Sequence, residues 1–189
     1  MTAKDKLNVV SIRLKKDRSL MSDVPMDNPK AAVDAVGKYL AQFDREVVCV
    51  INVDSKLKPI NCSFVSIGAL DYSIASPREI LKSAILSNAK GILLIHNHPS
   101  NDLSPSKADI SLTDRMCKAC YTMDINLYDH IIVGTTPGRY YSFQEKTCVL
   151  DTRNQPEFTT DINKINFSVA DAVSQYMKEN DVKPRRRGR

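Results

Sequence analysis

Two histidines two positions apart, His96 and His98, close a short apolar run at residues 92–95, and Asp109 follows in the next helical stretch. Side chains at i and i+2 of an extended segment point to one face, so both imidazoles can aim at a single point. Pro99 supports that geometry, because the residue before a proline avoids helical torsions. Pro99 and Pro105 hold a polar loop open before Ser106-Lys107-Ala108-Asp109 begins what reads as a helix. The loop can fold Asp109 back beside the two histidines. Two imidazoles and one carboxylate, with no fourth protein ligand nearby, are the usual build of a catalytic zinc site, which keeps one position open. The plainer alternative is a pair of solvated histidines in a polar loop. Against it stand their same-face spacing behind a buried strand and the fact that they are two of only three histidines in the chain.

The elements that must position this group follow in chain order. Residues 7–14 alternate and suggest an edge strand. Asp27 or Asn28 can cap a helix with Pro29 at its first position, and Ala32, Val33, Val36, Tyr39, Leu40 and Phe43 recur at helical spacing. Glu46 precedes an apolar run, residues 47–53, expected to be a central strand. Residues 57–69 alternate through Ile60, Cys62 and Phe64 and predict a second strand paired with the first. Ser76-Pro77-Arg78-Glu79 is a helix start with capping-box spacing, and Ile80, Leu81, Ala84 and Ile85 are expected to point inward. The histidine-bearing strand comes next, then a helix over residues 107–123. Ser106 and Asp109 also stand in capping-box spacing, so either can be no more than a cap. Residues 126–134 and 139–143 predict two further strands around a turn at Thr135-Thr136-Pro137-Gly138. From Glu145 onward the pattern dissolves into a linker, with a short amphipathic helix expected at residues 168–178. Strands alternating with helices predict an α/β sandwich with a mixed sheet.

Composition sets the outer bounds. The chain has 189 residues, 42% hydrophobic and 26% charged, which suits one soluble domain with extensions. No apolar run approaches the ~18 residues of a membrane span, and no signal-peptide core follows the N-terminus, so the expectation is a cytoplasmic protein with no membrane partner. The formal net charge is +5. Lys183, Arg185, Arg186, Arg187 and Arg189 carry all of it, which leaves residues 1–182 net neutral. The basic character therefore belongs to a tail, residues 183–189, that can bind phosphates non-specifically or simply be a solvated terminus. The five cysteines form no framework spacing and are expected to be thiols. Cys117-x-x-Cys120 places two of them on one helical face, where core packing is the better account than a second metal or redox site.

The spacing His96-x-His98, seven residues, Ser106-x-x-Asp109 resembles the JAMM motif of the MPN/JAB metallopeptidases. The surrounding text is more similar still to the RadC-like branch, through Pro77-Arg78-Glu79-Ile80, His96-Asn97-His98-Pro99-Ser100, Asp129-His130-Ile131-Ile132-Val133-Gly134 and Tyr141-Ser142-Phe143. The resemblance implies a deaminase-like α/β/α sandwich with a mixed central sheet over residues 27–146. Residues 1–26 are then an N-terminal extension, and 147–189 a linker, short helix and basic tail. It further implies one zinc ion (Zn2+) on His96, His98 and Asp109, with water in the fourth place. Glu46 matches the general base and Ser106 the donor to the oxyanion. The substrate class implied is a peptide or isopeptide. Asn101 stands where the branch often has glycine, and asparagine tolerates positive φ better than most residues.

Several rivals accompany this reading. A DNA-repair- or DNA-transfer-associated nucleic-acid-binding module draws on the basic tail and the branch name. The tail lacks the aromatics that single-strand binders stack on bases, and a helix-hairpin-helix module like that of longer RadC-like proteins is not expected within residues 1–26. A pseudo-enzyme scaffold is disfavoured by the intact four-residue set. His130 is expected to be a buried, hydrogen-bonded histidine outside the metal site, and Asp102 is not expected to be a ligand.

Overall fold

The computed structural model describes residues 11, 13–16, 24–67, 76–148 and 150. Five strands form one mixed sheet: β1 (Val47–Val53), β2 (Pro59–Ile67), β3 (Gly91–Asn97), β4 (Asn126–Val133) and β5 (Tyr140–Ser142), in the order β2-β1-β3-β4-β5. Only β3 and β4 run parallel. The remaining pairs are antiparallel.

Alternation along the central strands sorts two cores onto the two faces. Val47, Cys49, Ile51 and Val53 of β1, with Leu93 and Ile95 of β3, meet the helical segment that begins at Pro29. That segment comprises α1 (Pro29–Ala32), a π-helical stretch (Val33–Gly37) and α2 (Lys38–Leu40). The Asn28 side chain caps it, accepting from the amide of Ala31, with Pro29 at the first position. Val48, Val50, Ile92 and Leu94 point the other way, into α3 (Pro77–Leu86) and α4 (Lys107–Thr122). Helices on both faces of a mixed sheet make this an α/β/α sandwich, as expected.

The two long helices are ended alike. After α3, Asn88 takes φ +49°, and the amides of Ala89 and Asn88 reach back to the carbonyls of Ala84 and Ile85. After α4, Asp124 takes φ +54°, and Ile125 and Asp124 reach back to Cys120 and Tyr121. These are paired Schellman stops, in which a short polar side chain accepts the left-handed position usually given to glycine. Each stop feeds a strand directly. The amide of Asn126 then bonds the carbonyl of Lys90, which registers the start of β4 beside that of β3.

Some expectations needed correction. Ile85 is 48% exposed, and Ser83 takes the inward place on α3, hydrogen-bonded to the buried Asn52. The π-helical stretch was not foreseen, because periodicity cannot distinguish one wider turn inside an apolar face. Residues 143–146 form a short helix, α5 (Phe143–Lys146), capped by Ser142, where a strand end and linker were expected. Leu57 belongs to a turn with φ +60° ahead of β2. Of the expected strand at residues 7–14, only Ser11, Arg13 and Leu14 are described, and they are exposed and irregular. The expected helix at residues 168–178 and the basic tail lie outside the described residues. Among the described residues no helix is long and apolar enough to cross a membrane.

Candidate metal centre

The parity that sends Leu93 and Ile95 toward α1 sends His96 toward α4, at the C-terminal end of β3. His98 lies just past the strand, yet its amide bonds the carbonyl of Val133 at 2.8 Å. That bond extends the pairing with β4 and keeps His98 on the same side as His96. The amide of Asn101 then closes a turn onto the His98 carbonyl. Asn101 takes φ +62°, in the left-handed region foreseen for it. Its side chain also bonds the amide and hydroxyl of Thr136, which ties the loop after the histidines to the β4–β5 turn. Gly134 makes room for that tie, since a Cβ there would stand 2.3 Å from Asn101 Oδ1.

Asp109 arrives from α4. Ser106 caps this helix, and the capping box is complete in both directions. Asp109 Oδ2 accepts from the Ser106 amide at 2.7 Å and the Ser106 hydroxyl at 2.6 Å. Asp109 Oδ1 is left facing His96 Nε2 at 3.1 Å. His96 Nε2 and His98 Nε2 are 3.0 Å apart, and His98 Nε2 lies 3.5 Å from Asp109 Oδ2. All three side chains are buried.

This donor set fits a metal ion. His98 Nδ1 lies 2.6 Å from the carbonyl of Asp102, which can only accept, so Nδ1 carries hydrogen and neutral His98 turns its Nε2 lone pair inward. A lone pair, a second imidazole nitrogen and a carboxylate oxygen then converge in a buried place. A shared cation satisfies all of them together. Ligands at ~2.0–2.2 Å from a tetrahedral ion stand about 3.3–3.6 Å apart, close to the separations found here. Burial works to raise the Asp109 carboxyl, but its hydrogen bonds with His96 and His98 outweigh it and hold the group well below the usual carboxylate range. His98 is raised by its bond to Asp109.

Glu46 opens toward the same place. Its Oε2 is buried and has no hydrogen-bond partner, and burial pushes its carboxyl upward against the pull of His98 and His96. The residue is held through its neighbours by Asn97. Asn97 Oδ1 accepts from the Val47 amide at 2.8 Å, and Asn97 Nδ2 donates to the Arg45 carbonyl at 3.0 Å. The peptide groups on both sides of Glu46 are thus fixed by the residue between the two histidines, acting from the opposite face of β3.

The structure brings together the five residues singled out in the sequence, with Ser106 as the cap and the hydrogen-bond partner of Asp109. Asp102 contributes only its carbonyl, while its carboxylate accepts from the Ser104 amide. Cys120 is buried and its thiol pushed up to about 12 by burial, as core packing predicts. His130 lies fully buried outside the three-residue group, and its Nε2 is 3.0 Å from His96 Nδ1. Complete burial pushes His130 well down. The positioning done by Asn97 was not foreseen. Its signal was parity alone, since a residue between two same-face histidines must face the other layer.

A mixed sheet whose inner strand ends in two histidines facing a helix-borne aspartate defines an α/β domain able to hold one metal ion. Residues 26–148 match the RadC-like JAB domain. The chain belongs to that family.

Proposed function

We propose that this chain is a zinc-dependent hydrolase that cleaves a peptide or isopeptide bond, with Glu46 as its general base. One observation carries the reading furthest, the buried and unpartnered Oε2 of Glu46 beside the His96–His98–Asp109 group. An orphaned carboxylate oxygen is unfavourable unless something supplies it with a proton to accept.

His96, His98 and Asp109 would hold the ion. When bound, zinc lowers the pKa of an attached water toward ~7 and polarises the scissile carbonyl. Glu46 takes the proton of the attacking water on Oε2 and passes it to the leaving amine. Its partial burial suits the first half of the exchange, because a raised carboxyl is a stronger base and takes a proton more readily than an ordinary one. Ser106 can assist the oxyanion only after its hydroxyl leaves Asp109 Oδ2.

A screen of peptide and isopeptide-linked substrates with zinc-loaded wild type and Glu46→Gln tests the proposal. Wild type should turn over at least one class, and the variant should lose ~10²–10⁴-fold while keeping its zinc. Full activity in Glu46→Gln would remove the base assignment. Inert wild type, with zinc bound, would remove the peptidase reading.

Non-specific nucleic-acid binding is a second proposal, carried by residues 183–189. Five basic residues predict affinity that falls steeply with salt. Deleting 183–189 should abolish it, and binding that survives the deletion would move the contact to the domain.

A further inference from the structure

We propose that Thr113 and His130 form a hydrogen-bond relay that dictates which nitrogen of His96 is left bare for the metal. The inference rests on the metal centre proposed above and adds two positioning residues to it. Neither belongs to the His96–His98–Asp109 group.

The relay begins in α4. Thr113 is fully buried one turn beyond Asp109, and its hydroxyl lies 2.7 Å from the Asp109 carbonyl. A carbonyl only accepts, so the single hydroxyl proton goes there. The same oxygen is 2.7 Å from His130 Nδ1. With its proton committed, Oγ1 can only accept, and His130 Nδ1 must carry hydrogen.

His130 has no room to be a cation. It is fully buried, stacks on Phe143 with centroids 5.0 Å apart at 8°, and its ring pairs with no carboxylate among the described residues. The neighbouring Asp129 carboxylate is engaged by Ser142 and by the amides of His130 and Gln144. A neutral ring with hydrogen on Nδ1 has a bare Nε2. That bare nitrogen faces His96 Nδ1 at 3.0 Å. Two lone pairs would repel at this distance, so His96 Nδ1 carries hydrogen and donates. His96 Nε2 is then the lone pair, and it is the nitrogen turned toward His98 and Asp109.

The direction of the whole chain is set by one backbone carbonyl. Asp109 consequently acts twice, with Oδ1 in the cluster and with its main-chain oxygen as the terminus of the relay. Metal-bound histidines are commonly oriented by such outer partners, whose loss lowers metal affinity by about 10–100-fold.

The test uses the full chain with ¹⁵N-labelled histidine, metal-free, and zinc titrations against a chromophoric chelator. Wild type should show hydrogen on Nδ1 of both His96 and His130. Thr113→Val, nearly the same shape without the hydroxyl, should lose the single tautomer and weaken zinc by about 10–100-fold. Thr113→Ser should restore both readouts, which a packing defect would not. Hydrogen on His130 Nε2 in wild type would overturn the relay, as would a Thr113→Val protein with unchanged tautomers and affinity. If Thr113→Val does not fold, the wild-type tautomers alone decide. Wild type with the stated tautomers and no zinc affinity would sink the metal reading while leaving the hydrogen-bond order standing.

Discussion

Asp109 divides its carboxylate between two tasks, one oxygen in the capping box of α4 and the other toward the imidazoles. Asp109→Asn separates them. An amide retains an oxygen for the cap but removes the charge that faces His96 and His98. Zinc affinity should fall by more than the ~10–100-fold that outer partners carry, with α4 intact by circular dichroism. Undiminished affinity in that variant would mean the carboxylate is no ligand. The group of His96, His98 and Asp109 was legible in the sequence because strand parity and helix-start spacing are local rules. Glu46 was legible only through the family resemblance, since nothing near it in sequence says what its side chain faces. The burial and hydrogen bonding of His130 were expected, but its link to Thr113 and His96 escaped for a related reason. That link is a chain of bonds that crosses from α4 to β4 to β3, and no spacing rule spans three elements.

At the scale of elements, β3 serves both layers. Its even positions carry His96 into the cluster, and Asn97 on the other face clamps the peptides around Glu46. Asn97→Ala leaves the buried Val47 amide without its acceptor and should destabilise the fold by about 1–3 kcal/mol in urea denaturation. Zinc affinity should hold near wild type while turnover drops, because the ligands sit on the opposite face. A parallel loss of zinc would show that the strand end, rather than Glu46 alone, depends on the clamp. The loop beyond β3 gives a second check. Gly134→Ala drives a Cβ into Asn101 Oδ1, so the tie to Thr136 should break at ~1–3 kcal/mol of stability, read from the same denaturation curves. The helix starts at Asn28, Ser76 and Ser106 were readable because capping chemistry is written in adjacent residues. The outward turn of Ile85 and the short α5 were not, since an apolar residue near a helix end and a four-residue helix give too few positions for a period.

For the molecule as a whole, the alternation of strands and helices predicted the α/β sandwich, and each apolar run divided by parity between the two cores. The β1–β2 and β4–β5 neighbours were readable from short connections, but the place of β3 between β1 and β4 was beyond reach, because pairing between strands distant in sequence leaves no spacing signal. A cation that binds only the folded group must also stabilise the fold. Zinc at 100 times its Kd should add ~2.7 kcal/mol to the unfolding free energy, seen as a rise in Tm that the Asp109→Ala variant lacks. The most direct test of the central claim is the metal content of the purified, untagged full chain beside Asp109→Ala. About one zinc per chain, lost in the variant, is the expected result for a three-ligand centre with an open position. A wild-type chain that takes up no metal after zinc is supplied would contradict it.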